Sequence, residues 1–316
     1  MIRKLINHIR PDIIHLFGLE NPYYAVGILN DYKHVITIAQ LQTLVNDPNF
    51  KNNYPIDAKE YDYIASVEET IIKKVDYIGT NVTKFRQIIK DKIHPNTVFL
   101  NTRLLLKEPI VTDRFEKQYD FVYFAANINK AVDLAIEAFA LAHKQKPEIT
   151  LDIVGGYEIG FKQYLDSILV EKGISDAVTF EGKLPTHEDV LNKIRKARFA
   201  LLPLKVDLVS GTIREAMSNG IPVLTTDTGE SGTQKLNKKR ATVLISPIGD
   251  HQALADNMLL LLSNKEMVET LRNNAYQTRS EITSNAAGAQ RYIEAYKACI
   301  DHSLKDMPLP KEVTEI

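Results

Sequence analysis

The sequence predicts an α/β protein of two consecutive domains, each built on a mostly parallel sheet. Three observations carry that prediction. The chain has 316 residues, enough for two cores of ordinary size. Short apolar runs of strand length alternate with longer segments of helical period almost throughout. The alternation lapses once, near the middle, and then restarts.

In the first cycle, DIIHLF at 12–17, HVITIA at 34–39, DYIGT at 76–80 and TVFLN at 97–101 read as strands. A long insertion-like stretch and the helical EYDYIASVEETIIKKV separate the second from the third, and TKFRQIIKDKI separates the third from the fourth. Four strands make a thin sheet. Ahead of them, Ile2, Leu5, Ile6 and Ile9 form an amphipathic helical stripe. It is expected to pack on the protein's own sheet, with a membrane surface or a partner subunit as the other readings.

The segment LLLKEPIVTDRFEKQ at 104–118 reads as a linker. The second cycle runs DFVYFAA, helix VDLAIEAFALAHKQ, TLDIVGG, helix FKQYLDSILVEKG, AVTFEG, helix EDVLNKIRKA and FALLPL. A helix from about Ile213 to Ser218, the strands IPVLTTD and TVLIS, and helices from about His251 complete it. About six strands suffice for a complete open sheet. The boundaries follow: a partial first domain at 1–105, a linker at 106–118, a second domain at 119–282, and closing helices at 283–316 whose return to the first domain is left open. Two such domains imply a cleft, and open sheets bind ligands beyond the C-terminal ends of their strands.

Composition narrows the function. The formal net charge is −1, so no global positive field exists to hold a nucleic acid. One cysteine, Cys299, cannot form an intrachain disulfide, and a reducing cytoplasm is the simpler inference. No metal-ligand cluster or DxD-like pair is evident, and neither GxGxxG nor GxxxxGK[ST] occurs.

The chemistry concentrates in VDLVSGTIREAMSNGIPVLTTDTG, residues 206–229. A loop after FALLPL leads into a helix near Gly211, where unpaired backbone amides suit a phosphate. Gly211 allows close approach, and Ser210 and Thr212 add hydroxyl donors. Glu215, one turn on, can accept hydrogen bonds from the two hydroxyls of a ribose. Thr212-x-x-Glu215 equally fits a capping box, and with Ser210 as the cap Glu215 would face the cleft. The spacing leaves both readings open. Thr228-Gly229 follows a strand and reads either as phosphate contacts or as a plain turn. Gly155-Gly156 ends another strand of the same sheet.

These residues carry a resemblance. The segment from Ser210 to Gly229, with EAMSNGIPVLTTDTG at its heart, resembles the family 4 glycosyltransferases of the GT-B fold. PDIIHLFG at Pro11, the NxxK-A-VDLAIEAF segment from Asn127, LDIVGG, VTFEGKLP and SPIGD at Ser246 follow in the right order. The resemblance implies two Rossmann-like domains with an interdomain cleft. The first, acceptor-side domain would be incomplete, and the second would bind the nucleotide sugar. It also implies a metal-independent, retaining transfer of a sugar from a nucleoside diphosphate donor to a hydroxyl acceptor, in surface polysaccharide or glycoconjugate synthesis. Relatives carry two glutamates eight positions apart. The second contacts the donor ribose and matches Glu215, and the first contacts the donor sugar and is replaced here by Asp207. Lys130 matches the lysine that neutralises the diphosphate, while Ala126 stands where its arginine partner belongs. Arg214 and Lys205 are the substitutes within reach along the sequence.

Further departures lie in the first domain. The chain begins at the helix ahead of the PDIIH strand, and TIAQ at 37–40 stands where relatives have a histidine. His15 remains as a polar strand-end candidate for chemistry. The expected partners are therefore a nucleotide-sugar donor and a hydroxyl acceptor, with a peripheral contact at the inner membrane face and a polypeptide completing the first domain as open calls. Two other functions stay open: a non-catalytic subunit that binds a partner or nucleotide, and a nucleotide-sugar epimerase. The epimerase needs an acid–base pair in the cleft, and the scattered His15, His94 and His187 show no such arrangement in sequence.

Overall fold

The computed structural model describes residues 2–19, 25–53, 57–102, 109–125, 131–205, 211–229, 232–281 and 285–315. The chain divides into two compact units, Met1–Leu106 with Thr283–Ile316, and Lys107–Ile282. The closing helices thus pack with the first unit.

In the first unit, α1 (Ile2–Ile9) leads into β1 (Ile13–Phe17), then α2 (Ala25–Asp31), β2 (Ile36–Gln40), α3 (Pro48–Asn53) and α4 (Ala58–Ile72). β3 (Tyr77–Gly79), α5 (Thr83–Ile88), extended by a wide turn over Ile89–Ile93, and β4 (Phe99–Leu100) follow. The strands pair in parallel in the order β1-β2-β3-β4. Both sheet faces are covered, as an all-parallel sheet requires. Ile14, Leu16, Ala39 and Ile78 pack on one side with Leu29, Ile71 and Phe85. Ile38, Tyr77 and Leu100 pack on the other with Cys299.

That second face is capped by α12 (Asn285–Lys305), and α13 (Lys311–Thr314) packs beside β4. Tyr77 bonds His302 Nδ1 and Ser303 Oγ, each at 2.7 Å. Gln40, at the C-terminal end of β2, donates to the Gly79 carbonyl at 2.8 Å and accepts the Thr102 hydroxyl at 2.6 Å. This buried amide therefore brackets the ends of adjacent strands. His15 lies under α12 as well. Its Nδ1 is 2.7 Å from the Tyr296 hydroxyl, its ring stacks on Phe17, and its buried Nε2 has no hydrogen-bond partner among the described residues.

One expectation is overturned here. The stripe of α1 does not pack on the sheet, since Ile2, Leu5 and Ile9 are 48%, 55% and 60% exposed. Only Ile6 reaches the core of its unit. The Tyr32 hydroxyl meets the Arg3 carbonyl and the Asn7 side chain, and Arg3 pairs with Asp31. Those contacts turn the Arg3–Asn7 face toward the protein and rotate the apolar stripe outward.

The second unit contains β5 (Tyr119–Phe124), α6 (Val132–Gln145), β6 (Leu151–Val154), α7 (Ile159–Lys172) and β7 (Val178–Gly182). It continues with α8 (His187–Arg195), β8 (Ala197–Leu201), α9 (Gly211–Ser218), β9 (Val223–Thr226), β10 (Val243–Ser246), α10 (His251–Ser263) and α11 (Lys265–Ser280). Six parallel strands run in the order β10-β9-β8-β5-β6-β7. Phe121, Phe139, Phe199, Leu201 and Leu224 are buried in its core. The chain builds outward from β5 to one side and returns to build on the other, so the strand order reverses between β5 and β8. Crevices for ligands form at such a point.

Gly220 fixes the turn from α9 into β9. Its φ is +66°, and a Cβ there would lie 1.9 Å from the Tyr276 hydroxyl, which donates to the Val111 carbonyl at 2.7 Å. Left-handed backbone and overpacking both penalise a side chain here. Gly220→Ala is expected to destabilise the protein by about 2–4 kcal/mol, read by urea denaturation against the parent.

Burial lowers the His15 pKa from 6.5 to about 4. The unfolded chain takes up this proton near pH 6.5 and the folded chain only near 4, so the unfolded state binds more protons between them. The stability tied to neutral His15 is fully present above about pH 6.5 and is lost as pH falls toward 4. The loss amounts to roughly 3 kcal/mol. His15→Phe should flatten that acid limb of the stability profile, and an unchanged limb would count against the assignment.

Candidate functional site

Because all six strands of the second unit are parallel, the loops after them emerge at one edge of the sheet. Gly155-Gly156 follow β6, Gly182 ends β7, Lys205 follows β8, and Thr228-Gly229 follow β9. The loops after β5 and β8 flank the reversal point. They carry Lys130, and Asp207 with Ser210, three residues that lie outside the described ones. α6 begins just after the first of these loops, and its N-cap residue Ala131 takes a left-handed backbone at φ 52°, an uncommon state for a non-glycine residue.

α9 starts at Gly211, which places Thr212 inside the first turn rather than at the cap. Ile213, Ala216 and Met217 are buried against the sheet core, so propensity and packing agree on this helix. Arg214 turns back along it. Its Nη2 lies 3.8 Å from where a Cβ on Gly211 would stand, bringing a cation beside the helix start. Burial lowers the Arg214 pKa while the neighbouring Glu215 charge opposes that shift. Glu215 points toward α8, with its Oε1 3.6 Å from His187 Nε2.

α8 is held firmly. Thr186 and Asp189 form a reciprocal capping box at its start. Near its end Lys193 bridges Asp152 of β6 and Glu181 of β7, both at 2.7 Å. Arg195 donates to the Asn219 side chain at 2.8 Å, and Asn219 in turn donates to the Glu215 carbonyl at 2.8 Å. The Glu215 backbone is thus tied to the far end of α8, while its carboxylate meets the beginning of that helix.

The other candidates divide by what already occupies them. The Thr228 amide donates to Thr233 Oγ1 and the Thr233 amide to Thr228 Oγ1, each at 2.9 Å. The Gly229 amide donates to Asp227 Oδ1 at 2.9 Å. These two amides are engaged within their own loop. Gly156 approaches the segment after β7 closely, since a Cβ there would lie 3.2 Å from Lys183 Cβ. Lys205, a sequence-level substitute for the missing arginine, forms an ion pair with Asp133 of α6 at 2.7 Å. Arg214 is the cation that the fold brings to the start of α9. His15 lies in the first unit.

Sequence reasoning weighed His187 only among scattered histidines and did not connect it with Glu215, 28 positions further on. The only local signal was a histidine directly after a capping threonine. Among the described residues, no group of three His, Cys, Asp or Glu side chains converges as a metal site, and no helix is long and apolar enough to cross a membrane.

Solved structures share this architecture. Sucrose-phosphate synthase from Thermosynechococcus elongatus superposes with a TM-score of 0.75 at 18% identity, over 94% of this chain and 75% of that one. The pneumococcal O-GlcNAc transferase GtfA gives 0.72 at 15% identity, over 95% of this chain and 60% of that one. Anabaena HepE gives 0.70 at 14% identity, over 94% and 81% respectively. At these identities the likeness establishes the fold, which is GT-B. A comparison with curated protein sequences found no match. The glycosyl transferases group 1 family matches residues 108–278, more than half of the chain, from ahead of β5 into α11, and the protein belongs to that family of sugar-transferring enzymes.

Proposed function

We propose that the protein is a retaining glycosyltransferase that moves a sugar from a nucleoside diphosphate donor to a hydroxyl acceptor. One observation carries the reading: Glu215 sits one turn into α9, after the loop that flanks the strand-order reversal, with its carboxylate turned toward α8. A ribose placed there presents two hydroxyls to one carboxylate. The diphosphate then lies toward the start of α9, where the helix dipole and the Arg214 guanidinium favour negative charge. GtfA and HepE, which share the fold, have structures in complex with UDP, and this supports the donor class.

The chemistry is that of leaving-group stabilisation. The anomeric carbon loses its bond to the diphosphate oxygen and gains one to the acceptor oxygen on the same face. The acceptor proton passes to the departing diphosphate. Lys130, the Ser210-Gly211-Thr212 segment and Arg214 carry the electrostatic work in this reading. Asp207 binds donor hydroxyls with a side chain one methylene shorter than glutamate. The Thr228-Gly229 loop contributes by shape, because its amides already have acceptors. His15, neutral above about pH 4, serves as an acceptor-side polar contact and not as an acid. Gly155 and Gly156 keep the neighbouring loop low.

We place the enzyme in the cytoplasm, acting in polysaccharide or glycoconjugate synthesis. The exposed Ile2, Leu5 and Ile9 of α1 are the surface on which peripheral attachment or a partner would act. Co-sedimentation with anionic liposomes, with and without Leu5→Glu, tests the lipid case.

Two assays decide the main reading. Transfer or donor hydrolysis by the purified protein supports the enzyme. Nucleotide binding without turnover supports a non-catalytic subunit, and epimer formation supports an epimerase. Glu215→Ala is expected to weaken nucleoside diphosphate binding by about 1–3 kcal/mol, and equal affinities by calorimetry would remove Glu215 from the site.

A further inference from the structure

The placement of His187 has a use that the transfer chemistry alone does not require. It opens α8 directly after the capping Thr186, and its side chain is 65% exposed while that of Glu215 is 22% exposed. The imidazole therefore stands on the open side of a partly enclosed carboxylate, at the sheet edge where the ligand-binding loops gather. Its Nε2 lies 3.6 Å from Glu215 Oε1, slightly beyond hydrogen-bond length, and a small rotation of an exposed ring closes that gap.

Both partners are mounted on restrained backbone. The capping box fixes the main chain at His187. Lys193 anchors the same helix to β6 and β7 through Asp152 and Glu181. Arg195 and Asn219 fix the Glu215 carbonyl from the other end of α8. With the backbones so restrained, the His187 contact is one of the interactions that set the direction of the carboxylate. A carboxylate held by an Nε2–H donor on one oxygen presents its remaining lone pairs in a defined direction. An unheld one loses rotamer freedom when it meets the ribose.

We propose that His187 is a positioning residue that holds the Glu215 carboxylate toward the ribose hydroxyls, and so sets how tightly the nucleoside diphosphate is bound. The proposal rests on the reading of Glu215 as the ribose contact. A solvated histidine at a helix start would have no such effect.

The test is a calorimetric cycle with the full chain, using whichever of UDP, GDP and ADP the parent binds. His187→Ala should weaken binding about 3- to 10-fold, and His187→Gln, which retains a donor, should regain most of the loss. The double variant with Glu215→Ala should bind within about twofold of Glu215→Ala alone, because the histidine acts through the carboxylate. In donor hydrolysis the His187→Ala loss should fall on KM ahead of kcat. Parental affinity in His187→Ala, or losses that multiply in the double variant, would overturn the proposal while leaving Glu215 in place. If Glu215→Ala itself binds like the parent, or no diphosphate binds the parent, the underlying reading fails and the proposal falls with it. The exposure of His187 and the untouched Thr186–Asp189 box keep the variants folded, which far-ultraviolet dichroism verifies.

Discussion

The candidate site depends on the parallel pairing of β5 with β8. Phe121 pairs with Phe199 and Val122 with Ala200 across this seam, and all four are buried. Parallel strands must leave the sheet at the same edge, so the loops after β5 and β8 are forced to be neighbours although they lie about 80 residues apart in sequence. The chain also reverses its direction of growth here, which keeps a helix from filling the gap between those loops. Lys130 on one loop and Asp207 on the other owe any common ligand to this seam. A register slip of one residue would put Phe121 and Phe199 on opposite faces of a sheet buried on both sides and break their ring contact, so the apolar packing that stabilises the sheet also fixes the site's geometry.

Much of this was legible in sequence because it rests on local pattern. β5, β6, β8 and β9 are short, mostly apolar runs, each carrying one or two polar residues and bounded by turn residues, and α6 is buried along most of its length. EAMSNGIPVLTTDTG announced both a helix and the strand after it, with Gly220 between them in a conformation that only glycine adopts cheaply. The misreading of α1 has a different cause. Periodicity identified its apolar stripe, but the helix's rotation was decided by Asp31, the last residue of α2, and Tyr32 just after it, contacts that a one-dimensional pattern does not contain. His187 was illegible for the same reason. Its contact with Glu215 comes from the alignment of α8 with α9, which brings together residues far apart in sequence.

Charge at the site follows from pairing and not from composition. Lysine and arginine are common in this chain, yet the fold commits some of them to ion pairs of its own. Lys205 is paired with Asp133, and Lys193 is locked between Asp152 and Glu181. Burial raises the Asp152 pKa while the Lys193 hydrogen bond and charge oppose that shift, as expected where an enclosed carboxylate is matched by a cation. The first pair takes a cation that could have met a diphosphate, and the second anchors the far end of α8 to the sheet. Arg214 therefore gains weight, since it is the cation the described fold turns toward the start of α9.

The first unit makes the complementary point. Gln40 ends the TIAQ segment, and its amide is buried between Gly79, Thr102 and α12, bracketing strand ends. His15 is enclosed against Phe17, Tyr292 and Tyr296 and kept neutral by burial. Neither is available as a base, since the Gln40 amide does not titrate and His15 is enclosed in packing. A transfer in which the departing diphosphate takes the acceptor proton needs neither of them as a base. A mechanism that relied on a protein base from this unit would have to expose a ring whose burial is what lowers its pKa. The arrangement of polar groups consequently favours chemistry driven from the second unit, where Glu215 and the start of α9 lie beside the seam.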